Sequence, residues 1–233
     1  MAEGDSNHEL EFIFHPRSVA IAGVSTRENL QGISGWNFVS ALLDVGFPNP
    51  IYLLHPTARA IRGLRAYRSL LDIPDDVDYV ISSVNARNVP DLLDDCIRKG
   101  TVRLLHLFTA GFTETGEASK ADMEQTLVSR ARAAGIRVVG PNCMGIYAPE
   151  SRLAIYPNQP SEAGPIGMIS QSGANAGEFV RQCTLRGLRI SKAISFGNGT
   201  DLKAADFFDY FAEDPKTEVI AAYVEGIQDG PRL

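Results

Sequence analysis

Short apolar runs alternate with longer amphipathic segments along most of the chain. Apolar runs bounded by turn residues predict buried strands, and apolar side chains at helical spacing between them predict helices. In the first part the predicted strands are residues 18–24, 50–55, 78–84, 102–108 and 137–139, and the predicted helices are residues 35–45, 89–99 and 119–134. The alternation restarts with strands at residues 167–170, 190–196 and 219–224 and helices at residues 174–186 and 203–212.

This strand–helix alternation favours an α/β fold built on parallel sheets with helices on both faces. Right-handed crossovers make such a sheet doubly wound, and its ligands bind beyond the carboxyl ends of the strands. We therefore expect one doubly wound domain at residues 15–147 and a smaller one at residues 164–233. The turns that follow the strands are the places to look for chemistry.

Two segments lack a strand or helix pattern. The acidic, polar start of the chain, residues 1–14, is expected to be disordered or loosely packed. Residues 148–163 are rich in proline and aperiodic, so we interpret them as a linker between the two domains. With only three predicted strands, the second sheet is expected to have a strand that lacks a neighbour.

Composition narrows the classes of function. The chain has 233 residues, 44% of them hydrophobic, and a formal net charge of -6, which is typical of a globular protein. An acidic surface gives no electrostatic reason to bind nucleic acid or anionic membranes, although a local site can still take a small anion. The three cysteines are far apart, so no disulfide framework or thiolate metal site is expected. The cytoplasm is the simplest compartment, because neither a signal peptide nor a membrane-length apolar run is found.

The first two turns offer candidate phosphate contacts. The turn of Gly23, Ser25 and Thr26, with its loop through Gly32, leaves a predicted strand and enters a helix. Such a turn can hold phosphate or simply reverse the chain, and the dinucleotide fingerprint GxGxxG is absent. After the second strand there is no acid, but Arg59 and Arg62 can meet a phosphate or remain solvated.

Three later strand ends carry polar or glycine-containing turns. They contain Asn85 and Asn88, then Thr109, Ala110 and Gly111, and then Asn142, Cys143 and Gly145. Helix capping by the asparagines and turn closure by Gly111 are the alternatives to ligand contact. His106 lies inside an apolar run and is interpreted as a core residue. Cys143 can act as a nucleophile, but a structural role is more common for a cysteine in a tight turn.

The second domain has two strand–turn–helix units that can bind an anion. One is Ser170-Gln171-Ser172-Gly173, and the other runs from Gly197 to Asp201. Plain N-capping by Ser172, Thr200 or Asp201 is the alternative for each unit, and the presence of two units favours phosphate. Glu225 ends the last strand, where it can orient a basic group or remain simply exposed.

Together the turns carry a family resemblance. The segments are FHPRSVAIAGVS, LLDIPDDVDYVI, TAGFTETGE, GIRVVGPNCMGI, GPIGMISQSGANAGEFV and SFGNGTDLKAADFFDYFAEDPKTEVIAAYVEGI, in that order from about Phe14 to Gly230. They resemble the alpha-type portion of nucleoside-diphosphate-forming acyl-CoA synthetases, which include ADP-forming acetate–CoA ligases and the alpha subunit of succinyl-CoA synthetase. The series GPNCMG, SQSG and DP-x-TEVI-x-x-YVEG is specific when taken together.

The resemblance implies a Rossmann-like CoA-binding domain followed by a truncated flavodoxin-like ligase domain. It implies that coenzyme A is held by Gly23, Ser25, Thr26, Asn85, Thr109, Ala110, Gly111, Asn142 and Cys143. It also implies that Ser170, Ser172 and Gly173 begin a helix that faces a phosphohistidine, with Ser172 and Gly173 binding phosphate. Glu225 matches an acid that positions this histidine, so Glu225, Ser170 and Ser172 are the expected catalytic residues. The expected partners are an ATP-grasp domain or subunit, which would bind ATP with Mg²⁺, and a second copy of the chain.

Departures from the family pattern leave alternatives open. Asn85 stands where relatives often have proline, Arg59 is an uncertain substitute for a lysine, and no histidine follows His106. The resemblance therefore implies an acid–thiol ligase whose separated alpha-type region is inactive. One alternative is a regulatory module that senses CoA or acyl-CoA, as in a fusion to an acetyltransferase. The other is an NAD(P)-dependent oxidoreductase, which the missing GxGxxG and the missing acid argue against.

Overall fold

The computed structural model describes residues 8–27, 33–227 and 230–232. The first sheet has seven strands in the order β3-β4-β2-β1-β5-β6-β7, parallel except for the short antiparallel pair β3–β4. Its strands are β1 (Val19–Ala22), β2 (Ile51–Leu54), β3 (Ala60–Ile61), β4 (Leu64–Tyr67), β5 (Tyr79–Ser82), β6 (Leu104–Leu107) and β7 (Arg137–Val139). The helices that cover it are α1 (Gly35–Asp44), α2 (Val89–Lys99) and α3 (Ala118–Ala133).

The doubly wound parallel sheet expected from the sequence is confirmed. The central strands β1, β5 and β6 are buried along their whole length, as their unbroken apolar runs predict. Helix α2 begins beside a proline and ends at Gly100 in the left-handed conformation, which are favoured start and stop signals. The pair β3–β4 was missed because its strands are only two and four residues long and each has a single buried residue.

The second sheet has four strands rather than the three expected. Its strands are β8 (Gly145–Tyr147), β9 (Ile166–Ser170), β10 (Ile190–Ser195) and β11 (Val219–Tyr223), in the order β11-β9-β10-β8, and its helices are α4 (Gly173–Leu185) and α5 (Ala204–Glu213). Strand β8 lies within the range assigned to the first domain but pairs antiparallel with β10. The second sheet therefore begins before residue 148. At its other edge β11 is largely exposed, which fits the expected strand with a missing neighbour.

Residues 148–163, interpreted as a linker between the two domains, are packed against the core. Ala148 pairs with Leu153, and the side chains of Leu153, Ala154 and Ile155 are buried. The segment is aperiodic because it follows neither a helix nor a strand, yet its apolar side chains join the core.

The start of the described chain is also packed rather than loose. Residues 11–13 form a short 3-10 helix, and Leu10, Ile13 and Phe14 are buried. The Tyr210 hydroxyl donates a hydrogen bond of 2.6 Å to the Glu11 carboxylate and fastens this segment to α5. Residues 1–7 lie outside the described part of the chain.

The two sheets share one continuous hydrophobic core. It runs from Ile21 of β1 through Phe38 of α1 to Ile169 of β9 and Phe211 of α5. A second core lies on the opposite face of the first sheet, under α2 and α3. The two α/β units are therefore packed as one body.

A buried ion pair lies within the shared core. The Lys192 ammonium of β10 is 2.8 Å from the Asp214 carboxylate, and the two side chains are 3% and 1% exposed. Thr217 also donates a hydrogen bond of 2.7 Å to Asp214, while the rings of Phe14 and Tyr210 flank the ammonium. Burial raises the pKa of Asp214, but the hydrogen bonds from Lys192 and Thr217 outweigh burial and lower it.

A loop at residues 197–201 locks the two sheets together. The buried Asp201 carboxylate accepts the Val138 N–H at 2.7 Å and pairs with Arg137 and Arg132. Gly197 approaches the first domain so closely that an added Cβ would lie 2.2 Å from the Pro141 carbonyl oxygen. This contact fixes the position of α4 and α5 relative to the first sheet. Within the described residues, no helix is both long and apolar enough to span a bilayer.

Candidate functional site

The main cleft lies at the carboxyl ends of β1, β5 and β6, where a doubly wound sheet binds its ligands. Its volume is about 810 Å³. Most of the predicted cofactor-binding residues line it: Gly23, Ser25, Asn85, Thr109, Ala110 and Asn142. The structure therefore brings together turns that are separated by more than one hundred residues in the sequence.

Gly23 lets two strand-end turns approach each other. Its φ is +89°, and an added Cβ would lie 2.5 Å from the carbonyl oxygen of Ser83 in the turn after β5. Any other residue here would be strained and would push the two turns apart. The glycine is therefore needed for the floor of the cleft.

Thr26, Gly111 and Cys143 lie outside the residues that line this cleft. Gly111 has φ +104°, and its N–H donates to the Glu114 carboxylate, so that amide is already occupied. Cys143 lines a neighbouring cavity instead. The loop through Gly32 lies outside the described residues.

Thr109 shapes the cleft through its hydroxyl. The side chain is buried and donates to the Val84 carbonyl oxygen at 2.9 Å, with the Ser82 hydroxyl also at 2.9 Å. These bonds hold the turns after β5 and β6 together. Asn85 and Asn88 make no side-chain capping hydrogen bond, so helix capping does not account for them.

Asn142 occupies a tight, exposed turn between the two sheets. It has φ +57° and follows a cis Gly140–Pro141 peptide bond. Its N–H donates to the Thr109 carbonyl oxygen at 3.0 Å. The turn thus presents one exposed amide side chain while its neighbours Pro141 and Cys143 stay buried.

A second cavity of about 240 Å³ adjoins the cleft. Ile33, Phe108 and Asn142 line both spaces. The remaining lining residues of the second cavity are Cys143, Met144, Tyr156, Gly173 and Ala174. The cleft therefore leads past Asn142 to the first residues of helix α4.

Burial determines the roles of Cys143 and His106. Burial raises the pKa of the Cys143 thiol, which keeps it protonated and unsuited to nucleophilic attack. Burial lowers the pKa of His106 to about 4, so its imidazole is neutral. The His106 Nε2–H donates to the Cys143 carbonyl oxygen, and Nδ1 accepts from Tyr79, as expected for a core histidine.

The N-terminus of α4 is organised by the turn that precedes it. The Ser172 hydroxyl accepts the Asn175 N–H at 3.3 Å as an N-cap. Ser170 is fully buried, and its hydroxyl donates to the Ser172 carbonyl oxygen at 2.7 Å. This places Ser170 inside the turn, where it supports Ser172 rather than facing a ligand. Gly173 is required because its Cβ would lie 2.5 Å from the Met144 side chain.

Gln171 ties this turn to the end of β11. Its side-chain oxygen accepts the N–H groups of Glu225 and Gly226, the latter at 2.9 Å. Glu225 is exposed and lies beside the predicted phosphate-binding turn. Sequence reasoning missed the bridging role of Gln171, because its partners lie more than fifty residues away.

The second predicted anion unit is better explained as a domain contact. The Asn198 amide donates to Glu114 at 2.7 Å, and the Thr200 hydroxyl donates to Glu124. The Asp201 carboxylate is itself paired with Arg132 and Arg137, so this turn is occupied by contacts within the chain. Neither Thr200 nor Asp201 caps α5, whose N-cap is Lys203.

The cleft also contains a cation that sequence reasoning missed. Arg27 lines it and is exposed, whereas Arg59 is exposed outside the lining. An arginine in a polar loop carries no pattern that marks it as a ligand contact. Among the described residues, no group of three or more His, Cys, Asp and Glu side chains is placed to hold a metal ion.

Two family models match successive parts of the chain. Residues 17–149 match a family model for the CoA binding domain, and residues 163–233 match one for the succinyl-CoA ligase like flavodoxin domain. The alpha subunit of ADP-forming acetate–CoA ligase I from Pyrococcus furiosus is 36% identical over 229 residues, covering 96% of this chain and 48% of that protein. ADP-forming acetate–CoA ligase I from Archaeoglobus fulgidus is 36% identical over 225 residues, covering 96% of this chain and 32% of that protein.

A solved structure has the same fold. Dinucleotide-forming acetyl-coenzyme A synthetase 1 from Ca. Korarchaeum cryptofilum, in complex with phosphate and ADP, superposes with a TM-score of 0.84 at 36% identity. The match covers 95% of this chain and 47% of that chain. The chain therefore spans about half or less of the length of these relatives.

Proposed function

Since the chain belongs to the alpha-type family that joins a CoA-binding domain to a succinyl-CoA-ligase-like flavodoxin domain, we propose that it supplies the CoA site of an ADP-forming acyl-CoA synthetase. The overall reaction joins a carboxylate to CoA at the expense of ATP and yields acyl-CoA, ADP and phosphate. The observation that carries the proposal is a continuous path. The main cleft and the second cavity share Ile33, Phe108 and Asn142 and end at the start of α4.

The cleft suits the nucleotide end of CoA. Gly23 has no side chain, so a phosphate group can come close to the backbone there, and the Arg27 cation attracts it. Ser25 and Asn85 add polar side chains. Asn142 and Phe108 then line the way for the pantetheine arm. In this arrangement the thiol of CoA reaches the second cavity, next to Gly173.

The start of α4 suits a phosphorylated carboxylate. Helix N-termini carry unpaired N–H groups and partial positive charge, which stabilise phosphate before and during its transfer. In the proposed sequence, phosphate passes from ATP to a histidine and then to the carboxylate. The CoA sulfur attacks the acyl carbon and phosphate leaves with the electron pair of the broken bond. Ser172 and Gly173 hold the phosphate, Ser170 and Gln171 position their turn, and Glu225 orients the histidine.

The phosphorylated histidine and the nucleotide site are proposed to come from outside residues 1–233. His106 is the last histidine of the sequence and is buried and neutral, and the other three are His8, His15 and His55. An ATP-grasp domain or subunit that binds ATP with Mg²⁺ is the proposed partner. The chain alone should therefore bind CoA without turnover, and the proposed homodimer can be checked by light scattering.

Isothermal titration of the chain with CoA, acetyl-CoA and NADH tests the proposal. We expect one saturable site for CoA and acetyl-CoA and no heat with NADH, because the turn after β2 offers no acid to a ribose. ADP release from ATP, acetate and CoA should require an added ATP-grasp partner. Absence of heat with both CoA and acetyl-CoA at millimolar concentration would refute the proposal, and saturable NADH binding would favour an oxidoreductase instead.

A further inference from the structure

We propose that Tyr156 sets the length of the acyl group that this site accepts, a step that rests on the proposed function. The second cavity, at the end of the CoA path, receives the acyl group of a short-chain carboxylic acid. Tyr156 lines that cavity, and in this proposal its ring forms the end wall. A further groove adjoins the cavity and shares Tyr156 and Ala174 with it.

The position of the cavity assigns it to the acyl group. One side opens to the cleft through Phe108 and Asn142, and the other side reaches Gly173 and Ala174 at the start of α4. The acyl carbon must lie where the CoA thiol and the phosphate of the mixed anhydride meet. A volume of about 240 Å³ has to hold that reacting centre and the end of the pantetheine arm as well as the acyl chain. Only a few carbons fit in the remaining space.

Tyr156 is held firmly enough to act as a wall. Its hydroxyl donates to the Gly173 carbonyl oxygen at 3.1 Å, and its N–H donates to the Gln159 side-chain oxygen at 3.0 Å. The ring lies on Gly177 of α4, where an added Cβ would be 2.7 Å from a ring carbon. Burial raises the pKa of Tyr156, so the hydroxyl stays protonated and keeps its bond to Gly173.

The groove behind the wall is suited to apolar chains. It has a volume of about 380 Å³ and runs between the segment 156–160 and the exposed side of α4. Pro157, Pro160, Val180 and Leu185 supply apolar surface, and Tyr156 and Ala174 line both this groove and the second cavity. A smaller side chain at position 156 therefore joins the two spaces.

The expected effect follows from the burial of methylene groups. Each methylene removed from water contributes about 0.8 kcal/mol, which corresponds to a roughly fourfold gain in affinity. In the wild-type chain this gain should stop once the acyl group reaches the ring of Tyr156. In a variant with a smaller side chain at position 156, the gain in affinity should continue as the acyl chain enters the groove.

A graded series of variants tests this inference by titration of the chain with acetyl-, butyryl-, hexanoyl- and octanoyl-CoA. Tyr156→Phe retains the ring and should share the wild-type length limit, whereas Tyr156→Leu and Tyr156→Ala should extend the limit progressively. The last two should gain roughly fourfold in affinity for each further methylene beyond butyryl-CoA. Tyr67→Ala, in β4 and outside both cavities, is the matched control and should behave as wild type.

The outcomes separate the two proposals. If all variants bind CoA and share one length profile, Tyr156 is not the wall and the inference is refuted while the function stands. If neither the wild-type chain nor the Tyr67→Ala control binds CoA, the proposed function fails. If Tyr156→Ala is unfolded by circular dichroism, the comparison of the Leu and Phe variants decides, because their side chains still differ in length.

Discussion

Replacing Lys192 by methionine should destabilise the fold by about 3 kcal/mol at pH 7. The methionine side chain keeps most of the apolar stem but leaves the Asp214 carboxylate, 1% exposed, without its cation. Loss of one partner from a buried ion pair costs about 3–5 kcal/mol, because the remaining charge is desolvated and unpaired. We expect the lower end of that range, since Thr217 and the Lys216 N–H still donate to Asp214.

The dependence of this loss on pH identifies its cause. In the wild-type chain the pKa of Asp214 is lowered, so the pair stabilises the fold above the ordinary pKa of 3.8 and this contribution is lost as the pH falls through the lowered value. Without Lys192, burial is less opposed and should raise the pKa of Asp214. The variant carboxyl can then take up a proton as the pH falls, so the difference from wild type should be smaller at pH 4.5 than at pH 7.

Urea unfolding at pH 7 and pH 4.5, followed by tryptophan fluorescence and circular dichroism, measures the free energy of unfolding of both chains. The double variant Lys192→Met, Asp214→Asn serves as the control and should recover part of the loss, because it removes the unpaired charge. The reasoning is refuted if the single variant loses less than about 1 kcal/mol at pH 7. It is also refuted if the difference from wild type is equal at the two pH values.

Three further predictions concern the cleft and the contact between the sheets. Gly23→Ala should cost about 3 kcal/mol in urea unfolding through backbone strain and overlap with Ser83, whereas Gly63→Ala, at φ +82° in open space, should cost only about 1 kcal/mol; equal losses would contradict this. Asp201→Ala should lower the free energy of unfolding by about 3 kcal/mol, because the buried Val138 N–H loses its acceptor. Asp201→Asn should lower it less, because the amide oxygen can still accept that hydrogen bond. Arg27→Gln should weaken CoA binding roughly tenfold by titration, and an unchanged affinity would remove Arg27 from the site.

Most elements of the first domain, apart from β3 and β4, were predictable because their patterns are local. Helix α2 was placed with its observed bounds, Val89–Lys99, since its apolar face, proline and terminal glycine agree. Strand β8 was not found, because its three residues follow a polar turn and its partner in β10 lies nearly fifty residues later. Pairing between distant strands leaves no periodic signal in the sequence of either one.

The location of the cleft was predictable because it follows from the order and direction of the strands in the first sheet. Parallel strands gather their carboxyl ends at one edge, so the turns of Gly23, Asn85 and Asn142 meet in one cleft. The sequence left Asp201 either in an anion-binding turn or as a helix cap, and its structural role was missed because its partners lie in β7 and α3, more than sixty residues away. The part played by Tyr156 depends on the packing of an aperiodic segment against Gly177, which no spacing rule can reveal.

The continuous core beneath the two sheets restricts how the site can move. Because Ile21, Phe38, Ile169 and Phe211 pack into one interior, a hinge motion between the cleft and helix α4 would have to break apolar contacts in this core. In the proposed CoA complex, this shared interior would fix the distance from the nucleotide end of CoA to the start of helix α4. A movement that admits the proposed carboxylate would then involve segments that pack on this shared core rather than the core itself.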